Sequence, residues 1–340
     1  MIATVASTAA LIGCRRRDRA VSVAEAGETR PPASPLADLL RDSSALRSLA
    51  ISGMAHEMLD QVEHLPILPP QTLYVGVRPD RAVDLETYDQ LSDVDRRGLE
   101  RLDVDSSRYY TTFYGSPLVY ARILDLAAEA WGKTGGPSSL RNLRIVDLGH
   151  GQLGQVRLWA QMGASVTGVD VNPILTSLYR GSAALGPVGL TGSLRLLECA
   201  WPNTEDCREL VGEGYDLFVS RNLLKNGYVN AQEVRPDLPV PVAWGMSGEE
   251  ATTRIFELLR PGGLAIIYSI GPTPDPRIPM SDIGNPWPRS AWEAAGFDVL
   301  DLDADETLVA RAYGQALRWD RQMNLQGLFG VRSVFYRPKG

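Results

Sequence analysis

The sequence predicts an α/β fold, a Rossmann-like, seven-stranded, mostly parallel sheet with helices on both faces, plus a helical N-terminal extension. Residues 143–173 give the first indication, because an apolar strand, a glycine turn, a helix and a second strand follow one another there. Strand-like and helix-like segments continue to alternate towards the C-terminus, as in parallel sheets. The length of 340 residues and the hydrophobic content of 44% suit one large domain with an extension.

The strand–turn–helix–strand unit has the properties of a nucleotide site. Its first strand ends at Asp147, and Gly149 and Gly151 form the turn that follows. A turn without side chains lets the backbone approach a ligand at the N-terminus of the next helix. The second strand ends at Asp170, whose carboxylate can accept two hydrogen bonds from ribose hydroxyls.

The pattern Asp147-x-Gly149-x-Gly151, followed by Gly163-Ala164 and Val169-Asp170, is similar to the nucleotide-binding core of class I S-adenosylmethionine-dependent methyltransferases. The resemblance covers residues 118–340 and implies S-adenosylmethionine as the cofactor. The chain departs from the family at Leu153, where a third glycine is usual. The resemblance also implies that His150 faces the amino-acid end of the cofactor and that Glu198 lies near the adenine amine. The residues expected to bind the cofactor are Asp147, Gly149, His150, Gly151, Asp170, Val171, Glu198, Cys199 and Ser220.

The same turn also reads Gly149-x-Gly151-x-x-Gly154, the dinucleotide fingerprint of dehydrogenases. An NAD-linked oxidoreductase is therefore an alternative. Asp147 argues against it, because nicotinamide enzymes mostly keep that position apolar so that the diphosphate can come close.

Residues 215–220 are expected to form the fourth strand, and a basic, polar loop with Arg221, Asn222 and Lys225 follows it. In class I methyltransferases the end of this strand holds the transferring methyl group. We therefore expect Arg221, Asn222 and Lys225 to be the catalytic residues, which orient a small molecule, with an anionic group, for methyl transfer to an oxygen or nitrogen atom. Arg221 and Lys225 as ordinary surface charges are the alternative.

The rest of the chain is divided by composition into residues 1–34, an apolar start and linker, residues 35–132, a helical N-terminal cap, and residues 133–340, the methyltransferase-like domain. Within the cap, residues 85–102 are expected to be helical. Proline-rich loops are expected near 231–248 and 271–288.

Charge and cysteine usage exclude several classes of function. The net charge of −7 does not favour a nucleic-acid partner. Three cysteines and three histidines show neither metal-ligand spacing nor a disulfide framework, so no metal site is expected. No apolar run approaches the roughly 20 residues of a membrane span. Nothing in the sequence indicates the oligomeric state.

The N-terminus raises an alternative for localisation. Leu11-Ile12-Gly13-Cys14 resembles a lipoprotein cleavage box, in which Cys14 would be lipidated and would anchor the chain to a membrane. No lysine or arginine precedes the apolar run, and residues 15–17 are all arginine, which is the reverse of a signal peptide. We therefore expect a cytoplasmic enzyme, with a non-catalytic S-adenosylmethionine-binding envelope lipoprotein as the alternative.

Overall fold

The computed structural model describes residues 36–76, 81–104, 109–110, 116–179, 185–229, 244–278 and 281–340. Its strands are β1 (Gln71–Gly76), β2 (Ala82–Asp84), β3 (Leu99–Val104), β4 (Arg144–Leu148), β5 (Ser165–Asp170), β6 (Gly186–Val188), β7 (Gly192–Glu198), β8 (Tyr215–Arg221), β9 (Leu259–Pro272), β10 (Asp298–Asp305) and β11 (Leu328–Tyr336). Its α-helices are α1 (Ala37–Leu46), α2 (Gly53–Asp60), α3 (Leu85–Gln90), α4 (Asp93–Arg96), α5 (Tyr120–Thr134), α6 (Leu153–Gln161), α7 (Pro173–Tyr179), α8 (Glu205–Val211), α9 (Asn226–Val229), α10 (Gly248–Leu258), α11 (Arg289–Ala295) and α12 (Thr307–Ala316).

The main sheet has the strand order β10-β11-β9-β8-β4-β5-β7-β6. Strands β7, β5, β4, β8 and β9 are parallel neighbours, and β11 lies antiparallel between β9 and β10. The expectation of a mostly parallel α/β sheet is confirmed. The described sheet has eight strands rather than seven, because β6 pairs antiparallel with the start of β7. At three residues, β6 is too short for periodicity to reveal it.

Helices cover both faces of the sheet, as the sequence predicted. Residues of α1, α2, α5, α6 and α12 pack in one core with one face, and residues of α8, α10 and α11 pack in a second core against the other face. The central strand β8 is buried over six of its seven residues, since its two faces contribute to the two cores. The carboxyl ends of β4, β5, β7 and β8 therefore meet at one edge, where open α/β sheets bind ligands.

The N-terminal cap belongs to the first core. The Asp125 carboxylate on α5 accepts hydrogen bonds from the backbone amides of Ile51 (3.1 Å) and Ser52 (2.7 Å), which holds the start of α2. Gly154, near the start of α6, packs closely against the cap, since a Cβ there would lie 2.5 Å from Pro117 Cβ and 2.8 Å from the Tyr110 carbonyl oxygen. Helix α5 crosses the expected boundary at residues 132 and 133, so cap and sheet share a continuous element.

A small antiparallel sheet, β2-β1-β3, includes the last residues of the segment 85–102 that was expected to be helical. That expectation is confirmed over α3 and α4 and is wrong for residues 99–102, which belong to β3. Helices α3 and α4 are short, Gly98 has φ +79°, and β3 then pairs along the whole of β1. The pairing of β3 is with residues about 30 positions earlier in the chain, and local composition does not reveal such a partner.

Two further expectations concern loops and membranes. The described residues 273–278 and 281–288 contain no long regular element, as their prolines predicted, whereas most of the loop expected at 231–248 lies outside the described residues. No helix in the described ranges combines the length and the apolar character that a membrane crossing requires. Cys14 also lies outside the described residues.

Candidate functional site

The glycine loop between β4 and α6 lies at the carboxyl edge of the sheet. Gly149 and Gly151 have φ values of +74° and +62°, which favour glycine. A Cβ on Gly149 would lie 2.6 Å from Leu223 Cδ2, so the loop after β8 packs directly on it. A Cβ on Gly151 would meet no atom within 4 Å. The loop thus leaves open space on its Gly151 side, where a ligand can approach the backbone.

The backbone amides at the start of α6 already have partners within the protein. Gly151 N donates to Asp170 Oδ2 (3.1 Å), Gln152 N donates to His150 O (2.6 Å), and Leu153 N donates to Tyr179 Oη (3.0 Å). A dinucleotide diphosphate needs such amides to be free. The third glycine of the fingerprint, Gly154, faces the cap instead of the loop. The geometry therefore does not favour the NAD-linked alternative.

Asp147 is a fully buried carboxyl group beneath this loop. Its Oδ2 accepts a hydrogen bond from Gln155 Nε2 (2.9 Å). Its Oδ1 makes no hydrogen bond of good geometry within the described residues, although the Tyr120 hydroxyl lies close enough to the carboxyl group to help lower its pKa. Burial raises the pKa of Asp147 to about 7, although the hydrogen bond from Gln155 and the charge of Arg221 oppose that shift. A cationic donor at Oδ1 would satisfy the carboxylate and stabilise its ionised form.

Asp170 closes the other side of the loop. Its Oδ2 accepts from Gly151 N and its Oδ1 from Asn172 N (3.0 Å). Each carboxylate oxygen can accept more than one hydrogen bond, so Asp170 keeps capacity for ligand hydroxyls. Glu198 is its register partner on β7 and is exposed, at the same edge of the sheet. Val171, the residue after Asp170, is half-buried.

His150 is buried beneath the loop. Its ring packs on β5, where a Cβ at Gly168 would lie 2.9 Å from His150 Cδ2. The missing side chain of Gly168 creates the space that the imidazole fills. Burial is the main cause that lowers the His150 pKa, so the ring is neutral near pH 7. His150 therefore supports the loop from below, and its orientation towards the cofactor stays a prediction.

The segment after β7 contains a disulfide bond that the sequence analysis did not expect. Cys199 and Cys207 are linked, with their Cα atoms 5.8 Å apart, and join the end of β7 to α8. Cys199 N also donates to Asp170 O (3.1 Å). The expectation that the cysteines form no disulfide framework was wrong. The turn between β7 and α8 brings Cys199 and Cys207 together. Trp201, inside the bridged loop, is buried in the second core.

The loop after β8 carries the three residues expected to act on the acceptor. Asn222 has φ +61°, and its Oδ1 accepts from Ile270 N (2.7 Å), so the side chain stabilises the turn. The Arg221 guanidinium lies over the Tyr120 ring, 5.1 Å from its centroid, on the Asp147 side. Ser220 is buried and donates to Leu148 O (3.1 Å), which joins β8 to β4 instead of facing a ligand.

Lys225 has the most unusual surroundings of the three. Its side chain is buried, and its Nζ lies 3.8 Å from the centroid of the Tyr228 ring. Burial alone lowers the pKa of the amine to about 8, and no carboxylate among the described residues compensates for it. A buried lysine without an acidic partner is a frequent mark of a functional site.

The main sheet contains a late strand whose direction is reversed. Strand β11 lies late in the chain and runs antiparallel to both of its neighbours, β9 and β10. The fold is a mostly parallel, Rossmann-like α/β sheet. Among the described residues, no group of three or more histidine, cysteine, aspartate or glutamate side chains could hold a metal ion.

Comparisons with known proteins give similarities at the level of shape. No protein-family model matches the chain, and no curated protein sequence matches it. Solved structures that resemble it include a putative sarcosine dimethylglycine methyltransferase from Galdieria sulphuraria, with 14% identity over 65% of this chain and 88% of that chain and a TM-score of 0.40. The cyclopropane synthase MmaA2 from Mycobacterium tuberculosis has 14% identity over 64% and 85% and a TM-score of 0.39. The N-methyltransferase NodS from Bradyrhizobium japonicum WM9 has 11% identity over 65% and 94% and a TM-score of 0.36. At such low TM-scores, function has to be argued from the residues of this chain.

Sequence reasoning missed three contributors to the site. Gln155 holds Asp147, the Cys199–Cys207 bond braces the segment beside Asp170, and Asp282 contacts the loop that carries Lys225. Gln155 lies one helical turn after the glycine loop and could have been found from that spacing. No local signal indicates Asp282, because it lies 56 residues from its partner Asn226.

Proposed function

We propose that the protein transfers a methyl group from S-adenosylmethionine to an oxygen or nitrogen atom of a small molecule that bears an anionic group. The buried Asp147 carboxylate beneath the glycine loop carries this proposal, because its Oδ1 makes no hydrogen bond of good geometry within the described residues. S-adenosylmethionine, when bound, supplies an electrophilic methyl group on a sulfonium and also an ammonium group. Asp147 fits that ammonium, because a buried carboxylate with such an oxygen needs a cationic donor.

The other residues of the loop have consistent roles. Asp170 would accept hydrogen bonds from the ribose hydroxyls with the capacity that its two backbone partners leave. Glu198 and Cys199, at the adjacent end of β7, would face the base. The cap excludes water from one side of the site, since Pro117 and Tyr110 pack on Gly154.

Lys225 and Arg221 would bind and orient the acceptor. The Lys225 amine is buried beside an aromatic ring with no acidic partner, so an anionic group on the acceptor would replace the water that the amine lacks. Methyl transfer needs the nucleophile to be aligned with the methyl group more than it needs a general base. Asn222 is assigned the task of holding the turn, because its oxygen is bonded to Ile270.

The proposed localisation is the cytoplasm, where S-adenosylmethionine is made. Anchoring through a lipidated Cys14 is the alternative, and it would fit a non-catalytic envelope protein that only binds the cofactor. The two alternatives differ in turnover and in lipid labelling of Cys14, which a Cys14→Ser variant would abolish.

Tryptophan fluorescence tests the cofactor assignment. The protein is titrated with S-adenosylmethionine, S-adenosylhomocysteine and NAD, and we expect saturable binding of the first two only. Binding of NAD alone would contradict the proposal.

Turnover then separates an enzyme from a binding protein. Methyl transfer is measured against a panel of hydroxyl and amine compounds with and without a carboxylate or phosphate group. We expect Lys225→Met to lower turnover roughly tenfold to a hundredfold, with little change in S-adenosylhomocysteine affinity. Lys133→Met is the matched control, because Lys133 is exposed and pairs with Glu129 on the surface of α5. Equal effects of the two variants would place Lys225 outside the site, and an absence of turnover with all compounds would favour the binding protein.

A further inference from the structure

Helix α9 is held by a segment that follows β9 in the chain. Asn226 N donates to Gly284 O (2.8 Å), and Gly227 N donates to Asp282 O (2.9 Å). The Asn226 side-chain amide donates to Asp282 Oδ2 (2.6 Å). Three hydrogen bonds therefore connect the first two residues of α9 to the same short segment, and Asp282 takes part in two of them.

These contacts determine where Lys225 lies. Lys225 directly precedes α9, and its carbonyl oxygen accepts hydrogen bonds from Tyr228 N (2.9 Å) and Val229 N (3.0 Å). The ring on which the lysine amine rests, that of Tyr228, belongs to the same helix. A helix of only four residues has little stability of its own, so external contacts must set its position.

Asp282 is itself held in place. Its Oδ1 accepts from Gly284 N (3.0 Å), which closes a tight turn. The neighbouring Asn285 N donates to Asp303 Oδ1 (2.7 Å), and Asp303 N donates to Ser333 Oγ (3.1 Å) on β11. A continuous series of hydrogen bonds thus connects the sheet, through the segment of Asp282, to α9.

We propose that Asp282 is a positioning residue that holds α9 so that the Lys225 amine stays buried at the acceptor end of the site. The proposal rests on the proposed function for the role of the amine, but the contacts themselves do not depend on it. Asp282 touches neither the amine nor the glycine loop in any contact described, so it acts through Asn226 and the helix. A carboxylate suits this place because it accepts from the Asn226 amide and from Gly284 N at once.

The test uses the pKa of Lys225 as its readout, which needs no substrate. The chain has only three lysines, Lys133, Lys225 and Lys339, so mass spectrometry can follow amine labelling at each as a function of pH. In the unmodified full-length protein we expect a midpoint near 8 at Lys225, since burial lowers its pKa to about 8. In Asp282→Ala, α9 loosens, the amine becomes hydrated, and the midpoint rises by at least one pH unit towards the ordinary value of about 10.4.

Three further variants separate positioning from general damage. Asp282→Asn keeps one acceptor oxygen, which can bond to Asn226 or to Gly284 N but not to both, so its midpoint should lie between those of the unmodified protein and Asp282→Ala. Asn226→Ala removes the same contact from the other side and should reproduce the rise even if Asp282→Ala folds poorly. Asp275→Ala is the matched control. Asp275 lies in the same segment between β9 and α11, but it pairs with Arg277 and not with α9.

Two results would overturn the proposal. One is a Lys225 midpoint that stays unchanged in folded Asp282→Ala and Asn226→Ala. The other is an equal rise in Asp275→Ala, which would mean that any loosening of the loop has the same effect. S-adenosylhomocysteine affinity is measured alongside and should change less than twofold in Asp282→Ala. If the unmodified protein does not bind S-adenosylhomocysteine, the proposed function is contradicted. The positioning role of Asp282 is then judged from the labelling midpoints alone.

Discussion

Replacing Asp147 with asparagine should stabilise the protein and impair its cofactor binding. Asp147 is fully buried, has one oxygen without a hydrogen bond of good geometry within the described residues, and carries a pKa raised to about 7 mainly by burial. The ionised group is therefore costly in the free protein, and asparagine removes that cost. The hydrogen bond from Gln155 can persist, since asparagine keeps an acceptor oxygen.

The size of the effect follows from the shift in pKa between the unfolded and folded states. A rise from 3.8 to about 7 is close to three units, and each unit corresponds to roughly 1.4 kcal/mol. Between pH 4 and 7 the folded state holds a proton that the unfolded state has lost. The contribution of Asp147 to stability is therefore full below pH 4 and is lost as the pH rises through 7. Asp147→Asn should gain up to about 4 kcal/mol at pH 8 and nothing near pH 4, since the net shift in pKa already includes the attraction to Arg221.

Urea unfolding of both proteins at pH 4.5, 6 and 8, without ligand, measures this difference. S-adenosylhomocysteine affinity at pH 8 provides the second readout, and it should fall roughly tenfold to a hundredfold when the charged acceptor is lost. Equal unfolding free energies of the unmodified protein and Asp147→Asn at all three values of pH would refute the raised pKa of the buried acid. A stabilised variant with unchanged affinity would remove Asp147 from the cofactor site while leaving its buried charge correct.

Three other expectations follow from the same site and its supports. Asp170→Ala should weaken S-adenosylhomocysteine binding roughly tenfold to a hundredfold by calorimetry, since hydrogen bonds to a charged acceptor are lost; unchanged affinity would exclude Asp170 from the site. Cys199→Ser/Cys207→Ser should lower the free energy of unfolding by roughly 2–3 kcal/mol, the value for a short closed loop, as urea unfolding would report; equal stability would show that the bond does not form in solution. Deleting residues 1–34 should leave the melting temperature unchanged because their composition is that of a linker, and a large drop would contradict it.

The sequence predicted those elements whose structure is determined by local residue patterns. The strand, glycine turn, helix and strand at residues 143–173 are all present, because apolar periodicity and glycine positions are local properties. The strand β3 was missed, since its ladder with β1 supplies the order that its charged sequence does not predict. Short β6 was missed for a related reason, as it exists only by pairing with β7.

The site was predictable in its residue types and less so in their directions. Asp147, Gly151 and Asp170 come together at one edge, as the motif implied. The direction of His150 depends on the space above Gly168, eighteen residues later, and the motif does not contain that information. The positions that hold Lys225 come from an even more distant segment, so a linear reading could identify the lysine but not its support.

The bond between Cys199 and Cys207 also bears on where in a cell the chain becomes folded. Disulfides persist in oxidising compartments, whereas cytosolic thiols keep most cysteines reduced. The bridged segment contacts Asp170 through Cys199 N, so a chain with two thiols and a chain with the bond would differ next to the ribose position. The thiol content of protein taken directly from each cell fraction is therefore a record of its folding environment, and it distinguishes a cytoplasmic enzyme from an exported, lipid-anchored one without any knowledge of its substrate.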